Sequence, residues 1–68
     1  MFSVGNRVEW LEDGRFRVGK ITVVYLNGRH RLCERGREWR ASTDSPIYLI
    51  ETETGKRRLI PHAWVARI

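Results

Sequence analysis

Two turn dipeptides, Asp13-Gly14 and Asn27-Gly28, bracket a long β-branched run, and this punctuation restricts the chain to short strands joined by tight turns. Asp-Gly and Asn-Gly supply the positive φ angles that tight β turns require. Before the first turn, Asn6 to Leu11 places Val8 and Trp10 on one face and Arg7 and Glu9 on the other, the alternation of a half-buried strand. Between the turns, Val18 to Leu26 reads as a second strand, with Gly19 marking a bulge or bend. Ile47 to Thr54 and Lys56 to Ile60 form a hairpin about Gly55, and Pro61 to Trp64 reads as a single helical turn before a short last strand, Val65 to Ile68. No longer helix and no internal repeat is expected.

Five short strands in 68 residues cannot make a flat sheet with two exposed edges. Closure into a small barrel hides the edges and builds a core from few residues. The expectation is an all-β, SH3-like or Tudor-like five-stranded barrel occupying residues 1–68 as one domain. Its core is expected to hold Val8, Ile21, Val23, Tyr48, Ile50, Leu59 and Val65. Residues 27–45 form a long basic loop or hairpin extension between the second and third of these strands.

Composition narrows the function classes. A domain this small buries only about 60% of its unfolded surface, so its stability is modest without a partner. Seven aromatic residues (three Trp, two Tyr and two Phe) and mixed-sign charge favour a folded chain over a disordered one. A single cysteine, Cys33, rules out an internal disulfide and is expected as a free thiol. The opening residues do not read as a signal peptide, and no run approaches the ~20 apolar residues of a membrane span. A cytoplasmic protein with no membrane association is expected.

Net charge is +5, and eleven of the thirteen basic residues are Arg, whose planar fork of donors suits phosphate and carboxylate. Two clusters stand out. Residues 27–45 hold Arg29, Arg31, Arg35, Arg37 and Arg40 against Glu34, Glu38 and Asp44. From Lys56 onward, Lys56, Arg57, Arg58 and Arg67 meet no acidic residue. The candidate partner-binding residues are therefore Arg29, Arg31, Arg35, Arg37, Trp39, Arg40, Lys56, Arg57 and Arg58. Trp39, between Glu38 and Arg40, either stacks on a base or anchors a protein contact, or else folds back as a lid over one barrel end.

The chain also resembles the hypervirulence-associated Tudor-like domain family of small SH3-like barrels. The resemblance spans nearly the whole chain. It rests on Val4-Gly5-Asn6-Arg7-Val8-Glu9-Trp10, on Gly19-Lys20-Ile21, on Ala41-Ser42-Thr43-Asp44-Ser45-Pro46-Ile47-Tyr48-Leu49-Ile50, and on Gly55 with the segment through His62 and Val65. The Ala-Ser-x-Asp-x-Pro-x-Tyr run is its most specific piece. Asn6 departs from the acidic residue usual there, and the Arg29–Arg40 stretch is more basic than the family pattern. Tudor-type barrels that bind methylated Lys or Arg do so in an aromatic cage. The candidates here are Trp10, Tyr25, Trp39, Tyr48 and Trp64, of which Trp10, Tyr25 and Tyr48 read better as core.

Catalysis finds little support. Ser42 and Asp44 read as turn-capping residues rather than a nucleophile and its carboxylate. His30, Cys33 and His62 are too few and too scattered for a structural zinc site, so no metal or cofactor is expected. The plasmid-borne type of dihydrofolate reductase is similar in size and in its Gly-x-x-Val opening. Its Val-Gln-Ile-Tyr motif would fall on Arg57 to Ile60, which reads Arg-Arg-Leu-Ile, so the match fails where that chemistry resides. The leading expectation is a non-catalytic binding module whose partner is nucleic acid, DNA or RNA. An acidic protein, or self-association through an exposed strand edge, is the alternative.

Overall fold

Strand ladders begin where the sequence turns are tightest. The computed structural model of the protein describes residues 1–32 and 36–68. β1 (Arg7–Glu12) and β2 (Arg15–Tyr25) pair in antiparallel register from Arg7↔Lys20 to Glu12↔Arg15. Asp13 (φ 52°) and Gly14 (φ 74°) form the two-residue link, both in the left-handed region that a right-twisted hairpin favours. β2 therefore starts three residues earlier than the β-branched run suggests.

Beyond β1, β2 continues along β5 (Ile47–Thr52), and β5 pairs with β6 (Arg57–Pro61). A single 3-10 turn at His62–Trp64 leads into β7 (Val65–Arg67), which returns to pair with β1. The resulting antiparallel sheet has five strands in the order β6-β5-β2-β1-β7. The expected closed barrel is met only in part: β6 and β7 lie at the two edges without a shared ladder, so the sheet is open. Two further strands, β3 (Arg29–Arg31) and β4 (Glu38–Arg40), form a separate ribbon inside the stretch expected as a long loop. Asn27-Gly28 thus ends β2 but does not close a hairpin with it, because β2 never pairs with β3.

The principal core contains Val8, Trp10, Ile21, Tyr48, Ile50 and Ile60, with Phe2, Val24, Trp64 and Val65 packed around it. Two expected members are displaced. The register of β2 slips between Ile21 and Val23, a bulge at Thr22, so inward alternation resumes at Val24 and Val23 is only half-buried. In β6, Ile60 lies opposite Tyr48 and takes the core position, while Leu59, opposite Leu49, faces the other way. Gly19 is not the bulge. A Cβ there would sit 2.6 Å from Ile50 Cγ2 and 2.7 Å from the Glu51 carbonyl oxygen, so its role is close strand approach.

The other face of β5 is covered as well. Leu32, Ala41 and Ile47 form a second buried cluster, bordered by Tyr25, Trp39, Leu59 and Trp64. β5 is thus apolar on both faces, which explains why Ile47-Tyr48-Leu49-Ile50 runs without alternation. The N-terminal segment is fastened to the first core. The Phe2 amide donates to the Tyr48 hydroxyl (3.1 Å), which itself lies 2.7 Å from His62 Nδ1. Asn6 Oδ1 accepts from the Ser3 amide at 2.9 Å, a local turn that accounts for Asn6.

Candidate functional site

The β3–β4 ribbon sorts its residues by strand alternation. Its cross-strand pairs are Arg29↔Arg40, His30↔Trp39 and Arg31↔Glu38. Residues opposite each other share a face, so Arg29, Arg31, Glu38 and Arg40 point to solvent together, and all four are exposed. His30 and Trp39 point inward and are half-buried. The His30 ring packs on Tyr25 at 4.5 Å between centroids, and Trp39 meets Trp64 edge-on at 5.4 Å and 66°. His30 Nε2 lies 2.9 Å from the Asn27 carbonyl oxygen, to which it donates as Nε2–H. Two backbone bonds flank the ribbon: the Leu32 amide donates to Arg37 O (2.7 Å), and Ala41 to Gly28 O (2.8 Å).

This gives a flat, outward basic face. Arg29 and Arg40 stand directly across from one another, an arrangement that disfavours the hairpin unless a counter-charge is bound. Among the described residues neither forms an ion pair, whereas Arg7 is paired with Glu53 and Arg58 with Glu12. A shallow groove at the ribbon is lined by Arg29, Glu38, Trp39 and Arg40. Arg37 lies apart from it, its guanidinium carbon 5.9 Å from the Trp64 ring centroid. Arg35 and Cys33 lie outside the described residues.

The second basic cluster is elsewhere. Ile47, under the ribbon, pairs with Pro61, whereas Glu51 pairs with Arg57, so Lys56, Arg57 and Arg58 sit at the opposite end of β5. Four residues of strand separate the two ends, about 13 Å. Arg58 is committed to the fold: its Nε is 3.5 Å from both Glu12 carboxylate oxygens. Glu12 in turn accepts the Trp10 indole N–H at 3.1 Å, satisfying a buried donor. Of the nine sequence candidates, Arg29, Arg31 and Arg40 share the outward ribbon face, Trp39 points inward, Arg37 lies by Trp64, Lys56, Arg57 and Arg58 sit at the separate β5–β6 end, and Arg35 lies outside the described residues.

Sequence reading passed over a groove between the tip of β1–β2 and the β5–β6 turn, which Trp10, Glu12, Phe16, Arg17, Lys56 and Arg58 line. Phe16 is 73% exposed and stands across from Leu11, which is 60% exposed. The signal was present, since Phe16 lies between Arg15 and Arg17 much as Trp39 lies between Glu38 and Arg40.

The other candidates have structural occupations. Trp10 and Tyr48 are buried in the core and Tyr25 packs on His30, so the five aromatics do not converge on one cage. Ser42 Oγ accepts the Ser45 amide at 3.0 Å within a reciprocal backbone turn. His30 and His62 are bonded to different partners, and among the described residues no three His, Cys, Asp or Glu side chains gather as metal ligands. No helix among those residues is long and apolar enough to cross a membrane. No protein-family model matches the chain, and neither do the curated proteins or solved structures with which it was compared.

Proposed function

We propose that this chain is a small, non-catalytic, cytoplasmic binding module of SH3-like, Tudor-like architecture that engages nucleic acid through the outward face of the β3–β4 ribbon. The architecture rests on the strand order and on the 3-10 turn that links the edge strands β6 and β7. The binding role rests on one observation: Arg29 and Arg40 face each other on an exposed surface beside Arg31, with no ion pair to described residues. Polyphosphate supplies the counter-charge this arrangement lacks.

Titration against DNA at two salt concentrations tests the reading. Each Arg that neutralises a phosphate adds about 0.9 to the slope of log affinity against log salt on duplex DNA, so replacing Arg29, Arg31 and Arg40 by Gln should lower it by about 2.7. An unchanged slope in a folded triple variant would refute it.

A protein partner is the second reading, favoured by the exposed Leu11–Phe16 pair. It uses different residues. Leu11→Ala with Phe16→Ala should abolish such an interaction, or self-association seen in sedimentation, and leave DNA affinity intact.

A further inference from the structure

Resting on the nucleic-acid reading above, we infer that the ligand is duplex DNA, met by the β3–β4 ribbon lying face-down in the major groove, and not a single strand. Proteins that hold single strands offer successive exposed aromatic faces on which bases stack. Here the ribbon turns its rings away from that surface: His30 lies on Tyr25, and Trp39 meets Trp64 over the buried Leu32–Ala41–Ile47 cluster. The most exposed ring, Phe16, stands at the start of β2, whereas the ribbon packs near Tyr25 at its far end. Phe16 packs on no other ring among the described residues, so it cannot continue a stack.

What the ribbon does present suits a groove. Two strands about 4.8 Å apart fit a major groove about 12 Å wide, which admits a two-stranded β-ribbon. Arg29 and Arg31 lie on one strand and Arg40 on the other, so cations reach both ways across the ribbon. Glu38, in the same face, would repel a phosphate wall but can accept from the cytosine amino group on a groove floor. An RNA duplex offers no such fit, because its major groove is deep and too narrow for side chains to read.

The test titrates the full chain, at two salt concentrations, against a DNA duplex, one of its isolated strands, and an RNA duplex of the same sequence. The duplex DNA should bind tightest, and methyl green, a major-groove ligand, should displace the protein. Arg29→Gln with Arg40→Gln should lower the duplex salt slope by about 1.8, and Phe16→Ala should leave it unchanged. The inference is overturned if the single strand or the RNA duplex binds as tightly as duplex DNA, or if methyl green does not compete. Those results would leave the nucleic-acid reading standing; absence of binding to all three probes at low salt would remove both.

Discussion

Two apolar clusters among the described residues touch at Trp64, and they are built on different terms. The first draws Val8, Trp10, Ile21, Tyr48, Ile50 and Ile60 from four strands of one continuous ladder. The second joins Ile47 of that ladder to Leu32 and Ala41, which flank a ribbon of two three-residue strands. Loss of the first removes the sheet. Loss of the second frees a ribbon whose own ladder is too short to persist in water. The basic face is carried by the region with less to hold it, which is where segments that adjust on binding are drawn from.

Ile50→Ala in the first cluster should cost about 2–5 kcal/mol and unfold much of so small a domain, read by chemical denaturation. Leu32→Ala should cost less in global stability. It should instead release amide protection at Leu32 and Ala41 while β1, β2 and β5 remain protected from hydrogen exchange. Equal global losses from the two changes would mean that the clusters form one cooperative core. Gly19→Ala probes the first cluster from the opposite direction. Its Cβ would meet Glu51 backbone as well as Ile50, so overpacking should cost about 1–3 kcal/mol with no effect on ribbon exchange.

The seam itself can be measured. A double-mutant cycle on Trp39 and Trp64 should return about 0.5–1.5 kcal/mol of coupling, the worth of an edge-on aromatic pair. A coupling near zero would detach the ribbon energetically from the body. The smallest effect has the opposite sign. Arg40→Glu replaces a like-charged cross-strand pair by an ion pair with Arg29 and should raise stability by about 0.2–1 kcal/mol. DNA affinity should fall in the same variant, and a gain in stability without that fall would argue against the proposed interface.

Legibility in sequence followed the same division. Alternation at Val8 and Trp10 and the turns at Asp13-Gly14 and Gly55 located β1, β2, β5 and β6, because each is a local property of the chain. Leu59 was taken for Ile60 because which face of β6 looks inward depends on its register against Tyr48 and Ile50, which no local pattern states. The ribbon's pairing was hidden for the same reason. Arg29, His30 and Arg31 do alternate, but three residues cannot announce a partner, and only the register puts Arg40 opposite Arg29. Trp39 stood out as an aromatic among charges, yet whether it looked outward depended on packing against Trp64.

The slip at Thr22 carries a consequence for anyone who trims, grafts or realigns this domain. Before it, odd-numbered residues of β2 such as Ile21 enter the principal core; after it, Val24 does, and Tyr25 is left to face the ribbon. The slip itself, which skips Thr22 in the pairing with β5, therefore matters more than the identity of the residues around it. Conservative exchanges there, Ile for Val at position 23 or 24, should pass almost unnoticed. Were β2 to keep Thr22 and pair without the slip, Val24 and Tyr25 would exchange destinations. Removal of Thr22 would instead leave Ile21, Val23, Val24 and Tyr25 in plain alternation opposite Ile50, Leu49, Tyr48 and Ile47, so each would keep its side of the sheet.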